Sequence, residues 1–273
     1  MKILLTNFSL DRLAGSETWT MTMFAQLVKL GHDVDIFVAS SEDNTLISAT
    51  CDKNKSYDLA IINHNNCLYE LQDWRIKRRV FTSHGVIPGL EQPIPGADVY
   101  VSVSEEVQTN LYVKGFTSTI IRNPINTEYF TFVKQNKDLK KILWMNNNKP
   151  IPEMIEPVSV GYEYRTQWGW RTGVKENIQW ADLVVSSGRG IYEALSCGKN
   201  AMVVNWCGCD GMVTEDTILE FRKTNCSGRT NKVFWNPDRM RQEFDKYDSS
   251  RDLRPYIIEN NNIATVARRY LVL

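Results

Sequence analysis

The feature that most constrains the fold of this chain is the alternation of short apolar runs with helical patterns. The chain opens with the apolar run "KILLTNF", and after a polar loop it continues as "TWTMTMFAQLVKLG". In this second segment Met21, Phe24, Ala25 and Val28 recur at helical spacing, which predicts one apolar helix face. Strands that alternate with helices form a parallel sheet with helices on both faces. The first half of the sequence therefore predicts an α/β fold.

The same alternation begins again in the second half of the chain. The runs "ILWM", "VSVGYE", "DLVVSS" and "NAMVVNW" predict strands, and helical patterns around "VKENIQWA" and "IYEALSC" lie between them. We therefore predict two Rossmann-like units whose parallel sheets face each other across a cleft. The predicted domains are 1–133, 134–258 and a closing C-terminal helix over 259–273.

Composition restricts the partners and the compartment of the protein. The chain has 32 Lys and Arg residues and 32 Asp and Glu residues, so no net charge draws it toward nucleic acid or anionic membrane. The sequence has no run of about eighteen apolar residues to span a membrane, and its first apolar run is too short for a signal peptide. The 6 cysteines lack the spacing of a disulfide framework, which predicts reduced thiols. We expect a cytoplasmic protein, in the host cytoplasm if it is viral, without stable membrane insertion.

Ligands of parallel α/β sheets bind at the carboxyl ends of the strands. In the first half of the chain, this rule selects the residues that follow each predicted strand. These are the loop 7–17, His64, His84, Ser104 and Asn123. His64 follows its strand as His84 does.

Two of these positions leave alternatives open. In the first loop, Gly15 and Ser16 allow a backbone to approach a phosphate or an acceptor closely. Glu17 either contacts the acceptor or caps the helix that follows. Asn123 either turns the chain into the linker or contacts a ligand in the cleft.

The segment "ADLVVSSGRGIYEALSCGKNAMVVN" gives the most specific indication of a binding site. A predicted strand ends at "SS", Gly188 and Gly190 bracket Arg189, and a helix follows. The glycines permit close backbone approach, and the helix N-terminus and the guanidinium favour a diphosphate. Glu193, expected in the first helical turn, is suited to accept hydrogen bonds from a ribose diol. By pattern alone, a helix start with a favourable acidic residue explains the segment equally well.

Five segments in order resemble those of GT-B glycosyltransferases, most closely the GT4-like group. The segment just described resembles the donor-binding segment of that family. "AGSETWTMTMFAQLVKLGHDVDIFV" is similar to its first strand, loop and helix, and "VFTSHG" to the strand that ends in its active-site histidine. "VSVSEEVQTNLYVKGF" and "IIRNPINTEYF" resemble the helix and the segment that lead into the linker. The resemblance covers nearly the whole chain and implies a GT-B fold with a short, trimmed second domain.

The resemblance also implies roles for individual residues. His84 would contact the transferred sugar or the β-phosphate, and Arg171, Gly173 and Val174 lie where the family seats the base of the nucleotide. Lys149 takes the place of the family's lysine after the first strand of the second domain. The arginine that usually accompanies that lysine is missing, and so is the first of two family glutamates eight residues apart.

The resemblance therefore implies a glycosyltransferase that takes a sugar from a nucleotide diphosphate sugar, expected to be a UDP-sugar, with retention. The nucleotide sugar is a co-substrate, and we predict neither another cofactor nor a metal, since we find no cluster of His and Asp residues with ligand spacing. The acceptor is either a glycan precursor or a hydroxymethylated base of phage DNA, because phage DNA-modifying glycosyltransferases share the GT-B fold. A sugar-nucleotide epimerase and a non-catalytic nucleotide-sugar-binding domain are the alternatives.

The densest basic run, "RIKRR" at positions 75–79, has two interpretations. The first is a solvated basic segment that precedes a strand. The second is a contact to the phosphate backbone of a nucleic-acid acceptor. The structural interpretation is favoured, because basic runs on protein surfaces are common.

Overall fold

The computed structural model describes residues 1–11, 14–40, 51–146, 152–168 and 172–273. These residues form two compact units. The first unit comprises Met1–Pro124 together with Ile263–Leu273, and the second comprises Ile125–Asn262. The division lies before the expected position at residue 133, because Ile125 and Phe130 pack in the hydrophobic core of the second unit.

The first unit is built on a parallel sheet whose strands follow the apolar runs of the sequence. Within the described residues the strands lie in the order β2-β1-β4-β6-β7-β8, and each neighbouring pair is parallel. A short parallel pair, β3 and β5, lies outside this sheet. The strands are β1 (Lys2–Asn7), β2 (Asp33–Val38), β3 (Ser56–Tyr57), β4 (Leu59–Asn63), β5 (Arg75–Ile76), β6 (Arg79–Ser83), β7 (Val99–Ser102) and β8 (Ser118–Ile120).

The helices of the first unit follow its strands, as an α/β fold requires. A 3-10 turn at Gly89–Glu91 precedes β7. Ser104 caps the helix that follows β7, since its hydroxyl accepts a hydrogen bond from the N–H of Val107. The helices are α1 (Gly15–Lys29), α2 (Asn65–Glu70) and α3 (Glu105–Val113).

Helix α1 buries a different face from the one that its spacing predicted. Trp19, Met23 and Leu27 are fully buried against the sheet, whereas Val28 is 47% exposed. The prediction of a face through Val28 was wrong because this helix has apolar residues on two overlapping stripes. Packing of the larger Trp19 side chain against the sheet decides between them.

The second unit repeats the architecture on a smaller scale. Its strands lie in the order β10-β9-β11-β12-β13, and all neighbouring pairs are parallel except β12 and β13. The strands are β9 (Lys141–Asn146), β10 (Glu163–Trp168), β11 (Leu183–Ser186), β12 (Asn200–Asn205) and β13 (Gly208–Met212).

Helices cover the second sheet, and one of them replaces a predicted strand. Val158 and Ser159 end a helix, and the strand of this region starts only at Glu163. The prediction that "VSVGYE" forms a strand was therefore wrong. The helices are α4 (Pro152–Ser159), α5 (Val174–Trp180), α6 (Arg189–Ser196), α7 (Ile218–Phe221), which runs into a 3-10 turn at Arg222–Thr224, α8 (Pro237–Phe244) and α9 (Arg254–Asn261).

The C-terminal helix α10 (Ile263–Leu271) returns to the first unit. It buries Ile263, Val266, Ala267 and Tyr270, an i, i+3, i+4, i+7 face, in the same core as Trp19. The rings of Tyr270 and Trp19 meet edge to face with centroids 5.6 Å apart. The final helix thus completes the first unit.

Among the helices that the structure describes, none combines the length and the apolar character that crossing a bilayer requires.

Candidate functional site

The segment with the most specific sequence signal lies at the carboxyl edge of the second sheet. Strand β11 ends at Ser186, and helix α6 begins at Arg189, so its N-terminus faces that edge. Gly188, between them, has φ 57° and ψ −128°. L residues with a Cβ rarely adopt that backbone conformation. The turn therefore requires glycine at 188, and the helix directs N–H groups and the positive end of its dipole toward it.

Gly190 is required for a different reason from the one that the sequence suggested. A Cβ at this position would lie 2.9 Å from Cε of Met145 and would overlap Oγ of Ser186. The absence of a side chain thus lets α6 pack closely on the ends of β9 and β11. Gly190 therefore allows α6 to pack closely on the sheet. The sequence analysis had instead assigned this glycine to the close approach of a ligand.

Arg189 and Glu193 form an ion pair within α6. Nε of Arg189 donates to Oε1 of Glu193 at 2.6 Å, and the two side chains are only 10% and 4% exposed. Glu193 is the fifth residue of α6, so its placement in the first turn was wrong. The spacing i, i+4 brings the two side chains to one face of the helix. The two predicted donor-binding residues are therefore bound to each other.

Polar residues that the sequence analysis missed surround this turn. Oγ of Ser187 donates to Oδ1 of Asn146 at 2.8 Å, and Nδ2 of Asn146 donates to the carbonyl of Val204 at 2.8 Å. The N–H of Gly188 donates to the carbonyl of Cys226 at 2.8 Å. These bonds tie together the ends of β9, β11 and β12. The signal was available, since Asn146 ends β9 and Ser187 directly follows β11, at the same sheet edge as the Gly188 turn.

Two of the predicted donor-binding residues, Lys149 and Arg171, lie outside the described residues. Gly173 has φ 71° and precedes α5, and Val174 begins that helix and packs on the core. Both lie in the connection after β10, at the carboxyl edge of the second sheet. The structure thus brings Gly173 and Val174 to the same edge as the Gly188 turn.

In the first unit, His84 lies just beyond the carboxyl end of β6. Its Nε2 is 2.9 Å from Oδ1 of Asn63, the last residue of β4. The His84 ring meets the Trp19 ring edge to face, with centroids 5.4 Å apart. Nδ2 of Asn63 and Nδ2 of Asn7 both donate to Oγ1 of Thr20, at 2.9 and 3.0 Å. His84 therefore belongs to a hydrogen-bonded network with Asn63, Thr20 and Asn7.

His64 follows β4 but has a structural role. Its Nδ1 accepts a hydrogen bond from the N–H of Phe8 at 3.0 Å, and the residue is 6% exposed with φ 83°. Burial lowers the pKa of His64 to about 4, so the ring is neutral near pH 7. The bond joins the loop after β1 to the end of β4.

The first loop supports the capping interpretation of Glu17. Gly15 and Ser16 open α1, and a Cβ on Gly15 would meet no atom within 4 Å. The Glu17 carboxylate accepts from Oγ of Ser16 at 3.2 Å. Burial raises the pKa of Glu17, while hydrogen bonds from the N–H groups of Glu17 and Ala14 oppose that rise. Glu17 is the acidic residue in the first turn of α1, where a carboxylate interacts favourably with the helix N-terminus.

Asn123 lies close to the boundary between the two units and is 7% exposed. Its neighbour Arg122 pairs with Glu105 of α3, with NH2 2.5 Å from Oε1. Asn123 is therefore largely covered by the protein.

The basic run at 75–79 is engaged in part by the protein itself. The Arg79 guanidinium donates to the carbonyls of Leu71, Gln72, Trp74 and Ile76, at 3.0 to 3.3 Å. It thereby satisfies carbonyls at and after the end of α2, which favours the structural interpretation for this residue.

Within the described ranges, no group of three or more His, Cys, Asp or Glu side chains is placed to hold a metal ion.

No protein-family model matches the chain, and no curated protein matches it. Solved structures are similar to it. AviGT4, a glycosyltransferase involved in avilamycin A biosynthesis, is 12% identical with a TM-score of 0.63, over 99% of this chain and 96% of that chain.

An α-glucosyltransferase in complex with UDP and a 13-mer DNA containing an HMU base is 13% identical, with a TM-score of 0.62 over 100% of this chain and 98% of that chain. An α-glucosyltransferase in complex with UDP-glucose and DNA containing an abasic site is 14% identical, with a TM-score of 0.56 over 99% and 94%. At these identities the likeness shows the fold, and it is the GT-B fold that the sequence resemblance implied.

Proposed function

We propose that this chain, with its GT-B fold, transfers a sugar from a nucleotide diphosphate sugar to an acceptor hydroxyl. The observation that carries the proposal is the Gly188 turn, where α6 begins at the carboxyl edge of a parallel sheet. Ligands of such sheets usually bind at the carboxyl ends of the strands, and the N-terminus of a helix attracts anions. Both features occur at the Gly188 turn. Further support comes from similar structures that are glycosyltransferases, some with UDP or UDP-glucose bound. We therefore propose a UDP-sugar as the donor.

The donor would bind at the carboxyl edge of the second sheet. Its diphosphate would lie at the N-terminus of α6, near Gly188 and Gly190, and its ribose near Glu193. Because Arg189 and Glu193 are paired at 2.6 Å, we propose that the donor engages them together, with the diphosphate on the guanidinium and the ribose on the carboxylate. The helix end and Arg189 would then stabilise charge on the leaving diphosphate without a metal ion.

The remaining donor contacts stay proposals from the sequence resemblance. Gly173 and Val174 would border the base, since they lie in the loop after β10. Lys149 and Arg171 would approach the phosphates and the base.

The first unit would supply the residues for sugar transfer and for the acceptor. We propose that His84 contacts the transferred sugar, that Gly15 and Ser16 contact the donor phosphates, and that Glu17 and Asn123 border the acceptor. In the transfer, the bond from the anomeric carbon to the β-phosphate oxygen breaks and a bond to the acceptor oxygen forms. The proton of the acceptor hydroxyl leaves with the nucleoside diphosphate, and we propose retention at the anomeric carbon.

Two acceptor classes follow from the proposal. One is a glycan precursor, and the other is a hydroxymethylated base in DNA. The DNA class is supported by the similar α-glucosyltransferases that are bound to DNA. It is opposed by the zero net charge of the chain, which provides no overall attraction to phosphates.

The test is release of nucleoside diphosphate from a panel of UDP-, GDP- and ADP-sugars, with and without hydroxymethylated duplex DNA. We expect release from a UDP-sugar, and no loss of that activity in EDTA. Glu193→Gln replaces the carboxylate by an amide of similar size and should weaken donor binding by about ten- to a hundredfold, equivalent to about 1.5–3 kcal/mol. Glu220→Gln, on an exposed side chain of α7, is the matched control and should bind the donor normally.

Each alternative predicts a different result. An epimerase would convert the sugar of the donor without releasing a nucleoside diphosphate. A non-catalytic domain would bind a nucleotide sugar in a titration and turn none over. Equal donor affinity in wild type and Glu193→Gln would refute the donor site proposed here.

A further inference from the structure

The network around Thr20 determines which atom of each amide side chain faces which partner. Oγ1 of Thr20 donates its single proton to the carbonyl of Ser16, at 2.9 Å. The same oxygen contacts the amides of Asn7 and Asn63, and with its proton already donated it can only accept from them. Both asparagines must therefore turn their NH2 groups toward Thr20.

This arrangement leaves Oδ1 of Asn63 as the atom that faces His84. An amide oxygen has no proton, so at 2.9 Å it accepts a hydrogen bond from Nε2 of His84. Nε2 of His84 therefore carries a proton.

The supports of this hydrogen bond are rigid. Asn63 is fully buried, lies at the end of β4, and its N–H donates to Oγ1 of Thr6 at 3.2 Å. It pairs in register with Thr82 of β6, two residues before His84. The ring of Trp19, which is 1% exposed, contacts the imidazole from α1. Side chains from two strands and one helix thus hold the imidazole in one orientation.

We infer that Asn63 is a positioning residue for His84, anchored by Thr20, and that it keeps the imidazole proton on Nε2. The consequence for catalysis rests on the proposed function, in which His84 contacts the transferred sugar. The orientation of the ring and the place of its proton do not depend on that function.

The first test is long-range 1H–15N NMR of the imidazoles, which needs no substrate. The chain has only 3 histidines, and His84→Gln assigns the signal of interest. Under mildly alkaline conditions we expect His84 as the Nε2–H form, with an Nε2 proton that is protected from exchange with water. In Asn63→Ala we expect that signal to disappear, because exchange accelerates when its acceptor is removed. A wild-type Nδ1–H form, or an equally protected proton in Asn63→Ala, would overturn the inference.

Matched variants separate this role from a general effect on folding. Asn7→Ala removes the other amide that donates to Thr20 but has no bond to His84, so the protected proton should remain. Thr20→Val removes the anchor of Asn63 and should weaken the protection, whereas Thr20→Ser keeps the hydroxyl and should restore it. If Asn63→Ala fails to fold, Thr20→Val and Thr20→Ser decide the matter: equal protection in both would overturn the inference.

The second test separates binding from turnover in the same variants. With the donor that the wild-type protein uses, Asn63→Ala should lower kcat about tenfold or more, because His84 is no longer oriented. The KM for the donor should stay within about twofold, since most of the proposed donor contacts lie on the second unit. A change in KM alone would contradict the positioning role. If the wild-type protein turned over no donor, the proposed function would fail while the NMR result would still stand.

Discussion

The carboxyl edges of the two parallel sheets differ in the kind of polar chemistry that they carry. At the first edge, Asn7, Thr20, Asn63 and His84 form a hydrogen-bonded network. At the second edge, a glycine turn leads into a helix that carries the buried pair of Arg189 and Glu193. Both edges end buried strands in a parallel sheet, so the difference arises from the residues that follow the strands.

The difference indicates how two units of one architecture can serve different steps of a reaction. Hydrogen bonds depend on direction, so the first edge is suited to orient a ring and its proton. Charged groups and a helix end act through electrostatic attraction, so the second edge is suited to hold a diphosphate. This division agrees with the proposal that the second unit binds the donor.

The largest expected effect concerns the ion pair at the second edge. Glu193→Ala should lower the free energy of unfolding by about 3–5 kcal/mol, because it leaves the buried Arg189 without its carboxylate partner. The measurement is urea denaturation of both proteins. Glu220→Ala is the control, since its pair with Lys223 is more than half exposed and should contribute about 0–1 kcal/mol. Equal losses in the two variants would remove the energetic contrast between buried and exposed pairs.

The next prediction concerns the loss of folding stability at acid pH. We expect this loss from His64, which lies at the first edge. Burial lowers the pKa of His64 to about 4, from 6.5, so the unfolded chain binds the proton more readily than the folded protein. The stability from neutral His64 is complete above pH 6.5 and is lost as the pH falls toward 4. At about 1.36 kcal/mol per unit, the loss is at most about 3 kcal/mol.

Urea denaturation of wild type and His64→Asn at about pH 7 and pH 4.5 measures this effect. The amide oxygen of asparagine can accept the Phe8 hydrogen bond without titrating in this range. The variant should therefore lose less stability on acidification than the wild type. The same loss in both proteins would show that the acid sensitivity comes from other groups.

A third effect compares the beginnings of helices α6 and α1. Gly190→Ala should lower the free energy of unfolding by about 1–3 kcal/mol, because a methyl group would collide with Ser186 and Met145. Gly15→Ala should change it by less than about 0.5 kcal/mol, because a Cβ there meets no atom within 4 Å. Thermal or urea denaturation distinguishes the two. If Gly190→Ala were as stable as Gly15→Ala, the conclusion that α6 packs too closely on the sheet to accept a methyl group at position 190 would be wrong.

The smallest expected effect concerns the basic run at 75–79 and tests whether Arg79 has a structural role. Arg79→Ala should cost about 1–2 kcal/mol, since it leaves four backbone carbonyls without their donor. Arg78→Ala, at an exposed neighbour, should cost less than about 0.5 kcal/mol. Affinity for duplex DNA at several salt concentrations completes the comparison. Loss of DNA affinity in Arg78→Ala would instead support a phosphate contact by this run.

Much of the fold could be predicted because strand patterns are local. The apolar runs that form β1, β4, β6 and β11 are continuous, and each ends in polar residues at the sheet edge. The prediction failed where a short apolar run suits either structure. The residues "VS" at 158–159 end helix α4, although β-branched residues favoured a strand.

The candidate site was predictable to a smaller extent. The spacing of Arg189 and Glu193 already allowed an ion pair within one helix, but the sequence analysis assigned each residue to a different part of the donor. Asn146, at the end of β9, and Ser187, just after β11, were overlooked, although the rule of strand ends had selected residues in the first half. Glu17 left two interpretations open, and its place in the first turn of α1, with a hydrogen bond from Ser16, favours a role at the helix start.

The sequence by itself determined the strand and helix alternation, the glycine turn at 188–190 and the resemblance to GT-B glycosyltransferases. These features depend on residues close together in the chain. Only the tertiary structure decided that Asn7, Thr20, Asn63 and His84 share one hydrogen-bond network, and that Trp19 contacts both His84 and Tyr270. The physical reason is that parallel strands separated by helices place residues distant in sequence at one edge, and no local pattern records which of them meet.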